Sequence, residues 1–274
     1  MLEASARTEK PSLPSLFITG TDTGVGKTIV SALISLIYRT AGVTVAYLKP
    51  VETGAARVGG ELIPGDTTFV ASLLELDEPE EMLCPYRFEP AASPHLAARL
   101  ANKKIKPTVI EECFKYLERR YNAVIVEGAG GLLVPLKPGY LMADLVRDLG
   151  LPLVITARPG LGTINHTLLT IAAAVQAEIP VAGVVINRYP ENPDPVAKDN
   201  PRTISSLSGI PVLALVPEIP GLDPRRPHRA LLEETARSLE ETHRLVEALA
   251  GFAAGQKAAK QIGPPEIAPA PPEE

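Results

Sequence analysis

The sequence predicts an α/β fold in which a mostly parallel central sheet carries helices on both of its faces. Six apolar runs of strand length recur along the 274 residues, and segments with helical patterning separate them. The runs are continuous in Val, Ile and Leu and do not alternate with polar residues, as expected for strands that are covered on both faces. The apolar content of 45% is sufficient for one large core.

The predicted elements follow in order along the chain. A helix over residues 27–40 follows the first strand, and a helix over 163–178 is long enough to make a right-handed crossover between parallel strands. Residues 229–260 have the pattern of one long amphipathic helix whose Leu/Ala stripe packs on the core or on a second subunit. The predicted strands are 16–18, 43–50, 123–128, 151–157, 181–187 and 211–217.

We expect a single domain over residues 15–260, which includes the long final helix. Residues 1–14 are predicted to form a flexible N-terminal extension. The tail over 261–274 is rich in Pro and acidic residues, so we expect it to be disordered.

Composition excludes several classes of partner. The net charge of −5 argues against a non-specific nucleic-acid surface, and an aromatic content of 4% without Trp leaves few platforms for stacked bases. No apolar stretch approaches the ~20 residues of a spanning helix, and the N-terminus lacks the apolar segment of a secretory signal. Cys84 and Cys113 lack metal-ligand spacing and are expected to be buried, reduced thiols. We therefore predict a cytoplasmic protein that binds neither nucleic acid nor a membrane.

The segment LFITGTDTGVGKT, residues 16–28, has the composition of a phosphate-binding loop between a strand and a helix. Gly20, Gly24 and Gly26 allow backbone N–H groups to face an anion, and the following helix N-terminus adds its dipole. This pattern predicts an ATP or GTP site in a P-loop-type domain. A Gly-rich turn without a nucleotide is the alternative.

Two side chains at the end of this loop have the chemistry of a nucleotide site. Lys27 can reach the β- and γ-phosphates, and the Thr28 hydroxyl can bind Mg²⁺. The loop is a variant, because Thr21 occupies the position at which the usual P-loop pattern has glycine.

Polar residues follow several predicted strands at their carboxyl ends, where ligands bind in open parallel sheets. We therefore expect these residues to lie in one cleft. An isolated lysine is usually exposed, but the place of Lys49 at a strand end beside the phosphate loop favours an active-site role. Thr53 and Gly54 would form a polar wall for a small substrate. The strand-end residues are Lys27, Thr28, Lys49, Thr53, Glu127 and Asn187.

Two carboxylates are candidate Mg²⁺ ligands together with Thr28. Glu127 ends a buried strand, and the small residues 128–131 allow backbone to approach a ligand closely. Asp66, in the segment IPGDTT, could be the second, since Mg²⁺ usually binds one or two carboxylates plus phosphate oxygens and waters. Asp66 taken alone also fits the N-cap of the helix that follows it, and this alternative stays open.

Six sequence blocks resemble the dethiobiotin synthetase family, whose P-loop is also a variant. They occur in the family's order between residues 16 and 222, and together they are highly specific. The blocks are GTDTGVGKT, LKPVETG, SPHLAA, VEGAGGLLVPL, LGTINH and GVVIN.

The resemblance implies an ATP- and Mg²⁺-dependent ligase of biotin biosynthesis. Such an enzyme closes the ureido ring of dethiobiotin from 7,8-diaminononanoate and CO₂, and it releases ADP and phosphate. A carbamate formed on one amine attacks the γ-phosphate, and the second amine displaces phosphate from the resulting carbamic–phosphoric anhydride. The resemblance also implies a homodimer, because residues 162–165 match a loop that the family presents to the substrate of the neighbouring subunit.

The resemblance further implies a role for individual residues. Lys49 and Lys27 would be catalytic, and Asn187 would bind adenine through its amide donor and acceptor; a strand-end Asn in a turn is the alternative. Many members of the family have an acidic residue where this chain has Arg188. Residues 93–95 would shape the substrate pocket, although His95 fits a helix start equally well. The implied substrate contacts are Thr23, Thr53, Gly130, Gly162 and Asn165. The implied nucleotide contacts are Gly24, Val25, Gly26, Lys27, Thr28, Ile29, Asp66, Glu127, Gly128, Ala129, Gly130, Asn187, Arg188, Pro220, Gly221 and Leu222, and the implied metal ligands are Thr28, Asp66 and Glu127.

Two other functions share a variant P-loop. An amide-forming synthase of cobalamin biosynthesis needs a nucleophilic Cys beside a Gly-rich elbow, and neither Cys84 nor Cys113 has one. A Min/Par-type dimerising ATPase switch usually has a second lysine early in the loop, where this chain has Thr21-Asp22-Thr23. It also needs a basic patch or a membrane helix. The switch remains the main alternative.

Overall fold

The computed structural model describes residues 12–219, 222 and 228–262. The strands of this part of the chain are β1 (Leu16–Gly20), β2 (Val45–Leu48), β3 (Val51–Thr53), β4 (Ala56–Val58), β5 (Glu61–Ile63), β6 (Tyr86–Phe88), β7 (Ala123–Glu127), β8 (Pro135–Lys137), β9 (Tyr140–Leu141), β10 (Leu153–Ala157), β11 (Val181–Tyr189) and β12 (Val212–Pro217). The helices are α1 (Lys27–Thr40), α2 (Gly65–Leu74), α3 (Glu80–Leu83), α4 (Pro94–Leu100), α5 (Pro107–Glu118), α6 (Met142–Leu149), α7 (Thr163–Gln176), α8 (Pro195–Ser208), α9 (Arg229–His243) and α10 (Leu245–Ile262).

Six strands form one parallel sheet in the order β12-β11-β10-β1-β7-β2. Successive side chains of β1 enter different cores, because Leu16 and Ile18 face one layer of helices and Phe17 faces the other. Helices α1, α2, α9 and α10 contribute buried residues to the core on the first face. Helices α5, α6, α7 and α8 contribute to the core on the second face. The predicted α/β fold with helices on both faces is confirmed.

The predicted strands and crossover helices are found close to their expected positions. Helix α1 occupies 27–40 as predicted, and each of the six predicted strands corresponds to a strand of the central sheet. The agreement follows from burial. Every residue of β1, β2, β7 and β10 is buried, so each of these strands appears in the sequence as a run of mostly apolar residues.

The prediction of one continuous helix over 229–260 is wrong. Arg244 adopts a left-handed φ of 53° and separates α9 from α10. The buried leucines of the two helices explain the break. In a continuous helix, Leu245 would lie about 120° around the axis from Leu239. With the break, Leu239, Leu245 and Leu249 all enter the same core.

The N-terminal boundary also differs from the expectation. Leu13 is buried, and the carbonyl of Pro14 accepts a hydrogen bond of 3.0 Å from the Tyr38 hydroxyl. These two residues, which the sequence placed in the flexible extension, therefore pack on the folded chain. Residues 1–11 and 263–274 lie outside the described part of the chain.

Cys84 and Cys113 are buried and form no disulfide, as predicted. Burial raises the pKa of both thiols. Within the described residues, no helix is both long and apolar enough to cross a bilayer.

Candidate active site

A cavity of about 280 Å³ lies where β1, β2 and β7 end. It is bounded by the phosphate loop, the start of α1 and the first turn of α2. Most of the predicted site residues line it, so the strand-end residues other than Asn187 share one cleft. The lining residues are Thr23, Gly24, Gly26, Lys27, Thr28, Ile29, Lys49, Val51, Glu52, Thr53, Asp66, Glu127, Ala129, Gly130 and Arg188.

The phosphate loop connects β1 to α1 and contains two left-handed glycines. Gly24 and Gly26 have φ values of 75° and 93°, which a residue with a Cβ rarely adopts. Thr21, by contrast, has no positive φ, and its N–H donates to the Thr156 carbonyl at 3.0 Å. Glycine is therefore not required at position 21, which explains how the variant pattern forms a P-loop.

Lys27 begins α1 and is 7% exposed. Its Nζ donates to the Asp22 carbonyl at 3.2 Å, and it makes no salt bridge with any residue that the structure describes. Burial and the nearby Lys49 ammonium lower the pKa of Lys27. Its ammonium thus lies in the phosphate loop without a carboxylate partner among residues 12–219, 222 and 228–262.

Lys49 joins the two predicted carboxylates. Its Nζ lies 2.5 Å from Glu127 Oε1 and 2.8 Å from Asp66 Oδ2. The Thr28 hydroxyl donates to the same Glu127 oxygen at 2.9 Å. Burial opposes the charged form of Lys49, but Glu127 and Asp66 outweigh it and raise the pKa of the lysine. Burial likewise opposes ionisation of Asp66, but Lys49 lowers the pKa of that carboxyl. Both groups are therefore charged at neutral pH.

Two residues of this cluster were not predicted from the sequence. The Tyr47 hydroxyl donates to Glu127 Oε2 at 2.7 Å. Glu52 Oε1 accepts the backbone N–H of Asp66 at 2.9 Å, and Glu52 Oε2 accepts the Thr67 N–H and hydroxyl at 3.2 and 3.0 Å. Tyr47 has the sequence signal of a core aromatic residue. Glu52 could have been found as a carboxylate that follows a strand.

The alternative assignment of Asp66 as an N-cap is wrong. Asp66 lies in the first turn of α2, after Pro64 at the N-cap position, and its side chain is directed to Lys49. Glu52 instead bonds the free N–H groups of this turn, which leaves the Asp66 carboxylate in the cavity.

A second, adjoining cavity of about 260 Å³ lies at the end of β11. Asn187 is 3% exposed there, and its Nδ2 donates to the Val25 carbonyl of the phosphate loop at 2.9 Å. Arg188 has a left-handed φ of 56° and lines both cavities. Such a backbone is rare in a residue other than glycine and is often found at functional sites. The remaining lining residues are Ile29, Pro217, Glu218, Ile219 and Leu222.

Comparison with known proteins identifies the family. The profile of a family described as an AAA domain matches residues 14–226. An ATP-dependent dethiobiotin synthetase of Clostridium acetobutylicum is 39% identical over 208 residues, which cover 74% of this chain and 86% of the relative. The enzyme of the same name from Anaeromyxobacter sp. (strain K) is 42% identical over 207 residues, 76% of this chain and 91% of the relative. The chain belongs to the dethiobiotin synthetase family.

Membership of the dethiobiotin synthetase family makes the chain an enzyme of the ligase class and confirms the predicted resemblance. Solved structures agree with the fold. The apo McdA structure from Cyanthece covers 89% of this chain and 99% of its own, with a TM-score of 0.51 and 12% identity. The MinC:MinD cell division complex of Aquifex aeolicus covers 95% of this chain and 100% of its own, with a TM-score of 0.50 and 14% identity. At these identities the likeness concerns the fold alone.

Several residues that the dethiobiotin synthetase resemblance implied do not line the phosphate cavity. Gly128 donates its N–H to the Ile18 carbonyl at 2.9 Å, and a Cβ on it would lie 2.9 Å from the Phe17 ring. Gly162 and Asn165 lie at the start of α7, with Asn165 exposed. The others are Val25, Asn187, Leu222 and residues 93–95. Pro220 and Gly221 lie outside the described residues.

The donor set of the cavity fits the Mg²⁺ that the dethiobiotin synthetase family implies. The Thr28 hydroxyl and the Asp66 and Glu127 carboxylates are hard oxygen donors. The two carboxylates already converge on one cation, the Lys49 ammonium, and the Thr28 hydroxyl donates to the Glu127 oxygen that this ammonium contacts. Across residues 12–219, 222 and 228–262, no cluster of three or more His, Cys, Asp or Glu could hold a metal. The ion would thus need oxygens of the nucleotide in addition to these three residues.

Proposed function

We propose that the chain catalyses the ATP- and Mg²⁺-dependent formation of dethiobiotin from 7,8-diaminononanoate and CO₂, with release of ADP and phosphate. The observation that carries the proposal is the shared cavity of Lys27, Lys49, Asp66 and Glu127 beside the phosphate loop. The names of the relatives support the same reaction. We also propose that the protein is located in the cytoplasm, where buried free thiols such as Cys84 stay reduced.

The difficult step brings an anionic carbamate against a polyanionic phosphate. Two like charges about 4 Å apart repel by about 4 kcal/mol at an effective dielectric constant of about 20. Lys27 and Lys49 offset this repulsion, because both ammonium groups already lie in the cavity and are less than a tenth exposed. Charges fixed in place before the reaction need no reorganisation in the transition state.

The proposed reaction needs no protein nucleophile. An oxygen of the carbamate attacks the γ-phosphorus and ADP leaves; the second amine then attacks the carbamate carbon, phosphate leaves and the amine loses a proton. Bound Mg²⁺ would neutralise phosphate charge through oxygens beside Thr28, Asp66 and Glu127. The chain contributes the fixed position of the two reactants, which can lower the barrier by up to about 7–11 kcal/mol.

The nucleotide would extend from the phosphate loop to the cavity at the end of β11. Lys27 and Thr28 would contact its phosphates, and Asn187, Arg188 and Leu222 would surround its base. The buried Nδ2 of Asn187 already binds Val25, so the amide oxygen is the atom proposed to accept from adenine.

A cavity of about 420 Å³ on the other side of Thr23 is the proposed place of the diamine chain and of the second subunit. Leu133, Leu161 and Leu169 are 60%, 85% and 61% exposed, and Leu133 and Leu169 line this cavity. Two exposed leucines that line one cavity favour a protein interface there. A homodimer would cover them and bring Gly162 and Asn165 to the substrate of the other subunit.

We expect Leu169→Glu to convert the dimer to a monomer, since a carboxylate in an apolar interface costs its desolvation. Light scattering coupled to gel filtration would report a mass near 29.1 kDa for the variant and twice that for the natural chain. Leu207→Glu is the matched control, because Leu207 is 65% exposed on α8 and does not line this cavity. A natural chain that runs as a monomer contradicts the proposed dimer.

The reaction itself is tested by mass spectrometry. Purified protein with ATP, Mg²⁺, bicarbonate and 7,8-diaminononanoate is expected to form dethiobiotin and ADP in equal amounts, and omission of any one component should abolish the product. A Min/Par-type switch would instead hydrolyse ATP without the diamine and respond to DNA or lipid vesicles. ATP turnover that is independent of the diamine therefore counts against the synthetase.

A further inference from the structure

We propose that Tyr47 and Glu52 are positioning residues that hold the carboxylates of Glu127 and Asp66 ready for the metal–nucleotide complex. The inference rests on the proposed function, because it concerns the Mg²⁺ site of that reaction. Neither residue would touch the metal or the substrate. Each fixes a group that does.

Tyr47 acts on Glu127 from the neighbouring strand. It lies on β2, where it pairs with Ile125 of β7, and it is fully buried. Its hydroxyl donates a hydrogen bond to Glu127 Oε2, while Thr28 and Lys49 donate to Oε1. Both oxygens of the buried carboxylate thus have donors, which fixes its rotation. Without the hydroxyl, Oε2 would be buried without a partner, and the carboxylate would be free to turn.

Glu52 acts on Asp66 through the backbone. Its carboxylate is 6% exposed and bonds the first turn of α2 through both oxygens, one to the Asp66 N–H and the other to Thr67. The start of α2 is thereby tied to β3. Because Glu52 bonds the backbone N–H of Asp66 and of its neighbour Thr67, it is suited to holding Asp66 in place.

The two contacts and the central lysine come from one short segment. Residues 47–52 contain all three: Tyr47 bonds Glu127, Lys49 bonds both Glu127 and Asp66, and Glu52 bonds the Asp66 N–H. This segment, which runs from β2 into β3, therefore helps to set the separation of the Glu127 and Asp66 carboxylates before any metal arrives. Loss of such outer contacts typically lowers metal affinity by about 10–100-fold.

The test measures Mn²⁺ as a paramagnetic probe in place of Mg²⁺, with ADP present, by electron paramagnetic resonance. Tyr47→Phe and Glu52→Gln are each expected to raise the Mn²⁺ dissociation constant by at least about 10-fold. ADP affinity without metal, measured by calorimetry, should stay within about 2-fold of the natural chain, since the hydrogen bonds of Tyr47 and Glu52 go to Glu127, Asp66 and Thr67 and not to the phosphate loop. A loss of Mn²⁺ affinity without a loss of ADP affinity indicates lost positioning, because general damage to the fold would lower both.

The matched controls remove a tyrosine hydroxyl and neutralise a glutamate carboxylate at positions outside the site. Tyr38→Phe deletes a buried hydroxyl that donates to Pro14, and Glu78→Gln neutralises a carboxylate whose side chain is 1% exposed and bonds Tyr116. Both controls should keep the natural Mn²⁺ affinity. Thr67→Val, which deletes one donor to Glu52, is a second route to the same loosening and should also weaken Mn²⁺ binding.

Each outcome is decisive. Natural Mn²⁺ affinity in folded Tyr47→Phe overturns the role of Tyr47, and natural affinity in Glu52→Gln or Thr67→Val overturns that of Glu52. Equal weakening in the Tyr38 and Glu78 controls also overturns the inference, because stability alone would then explain the loss. If the natural chain binds no Mn²⁺ with ADP, the metal site of the proposed function fails instead.

Discussion

Lys49→Ala is expected to lower kcat for dethiobiotin formation by at least about 10²–10³-fold, the effect of removing one fixed group that stabilises developing charge. The side chain is 5% exposed, and its ammonium lies between the two carboxylates at the end of β2. Mass-spectrometric rates at saturating ATP, Mg²⁺ and diamine measure the effect. The KM for ATP should change less than kcat, because Lys27 and the phosphate loop remain.

Lys49→Ala also changes stability, and this must be separated from catalysis. Removal of one partner of a buried ion pair typically costs about 3–5 kcal/mol, because Glu127 would remain buried without its nearest cation. Thermal unfolding with and without Mg²⁺–ADP therefore accompanies the assay. Lys115→Ala is the control, since that lysine is exposed and its salt bridge in the described part of the chain is with Glu111. Near-natural turnover in folded Lys49→Ala would remove the lysine from the mechanism.

Glu127→Gln is expected to raise the Mg²⁺ concentration at half-maximal rate by at least about 10-fold. The amide has the same shape as the carboxylate but lacks the negative charge that Mg²⁺ prefers. A full Mg²⁺ titration of product formation measures this value separately from kcat, which should also fall because the Lys49 pair is lost.

The matched control for this change is Glu78→Gln, a carboxylate outside the site that also bonds a cationic side chain and a tyrosine hydroxyl. Its Mg²⁺ titration should overlay that of the natural chain. Removal of free Mg²⁺ by a chelator should stop product formation in every variant. If the Glu127→Gln titration overlaid the natural one as well, the carboxylate would not be a metal ligand.

The central sheet was predictable because burial on both faces leaves an unbroken apolar signal. The strand ends then placed Lys49, Glu127 and the phosphate loop together, since parallel strands deliver their carboxyl ends to one edge. The short strands β4 and β5 were not predicted, although the Gly59-Gly60 pair between them is a hairpin signal. They lie outside the sheet, so no long apolar run marks them.

Other features depend on contacts that sequence patterns do not encode. Tyr47 looks like any core aromatic residue until its hydroxyl is seen on Glu127. The break at Arg244 could not be predicted, because no Gly or Pro marks it in the sequence. It is determined by the packing of leucines on both sides of it. The base-binding role of Asn187 and the roles of Gly162 and Asn165 stay predictions.

The end of α9 has a consequence for how the molecule meets its neighbours in solution. Strand β12 is an outer strand of the sheet, and outer strands invite pairing with other chains through their unpaired N–H and C=O groups. His243 Nε2 accepts the Leu215 N–H of this strand at 3.4 Å, and burial lowers the pKa of the histidine, which favours the neutral, accepting form. A side chain thus bonds one of the backbone donors that an incoming strand would need. At this position of an outer strand, an imidazole therefore blocks the pairing that could lead to aggregation.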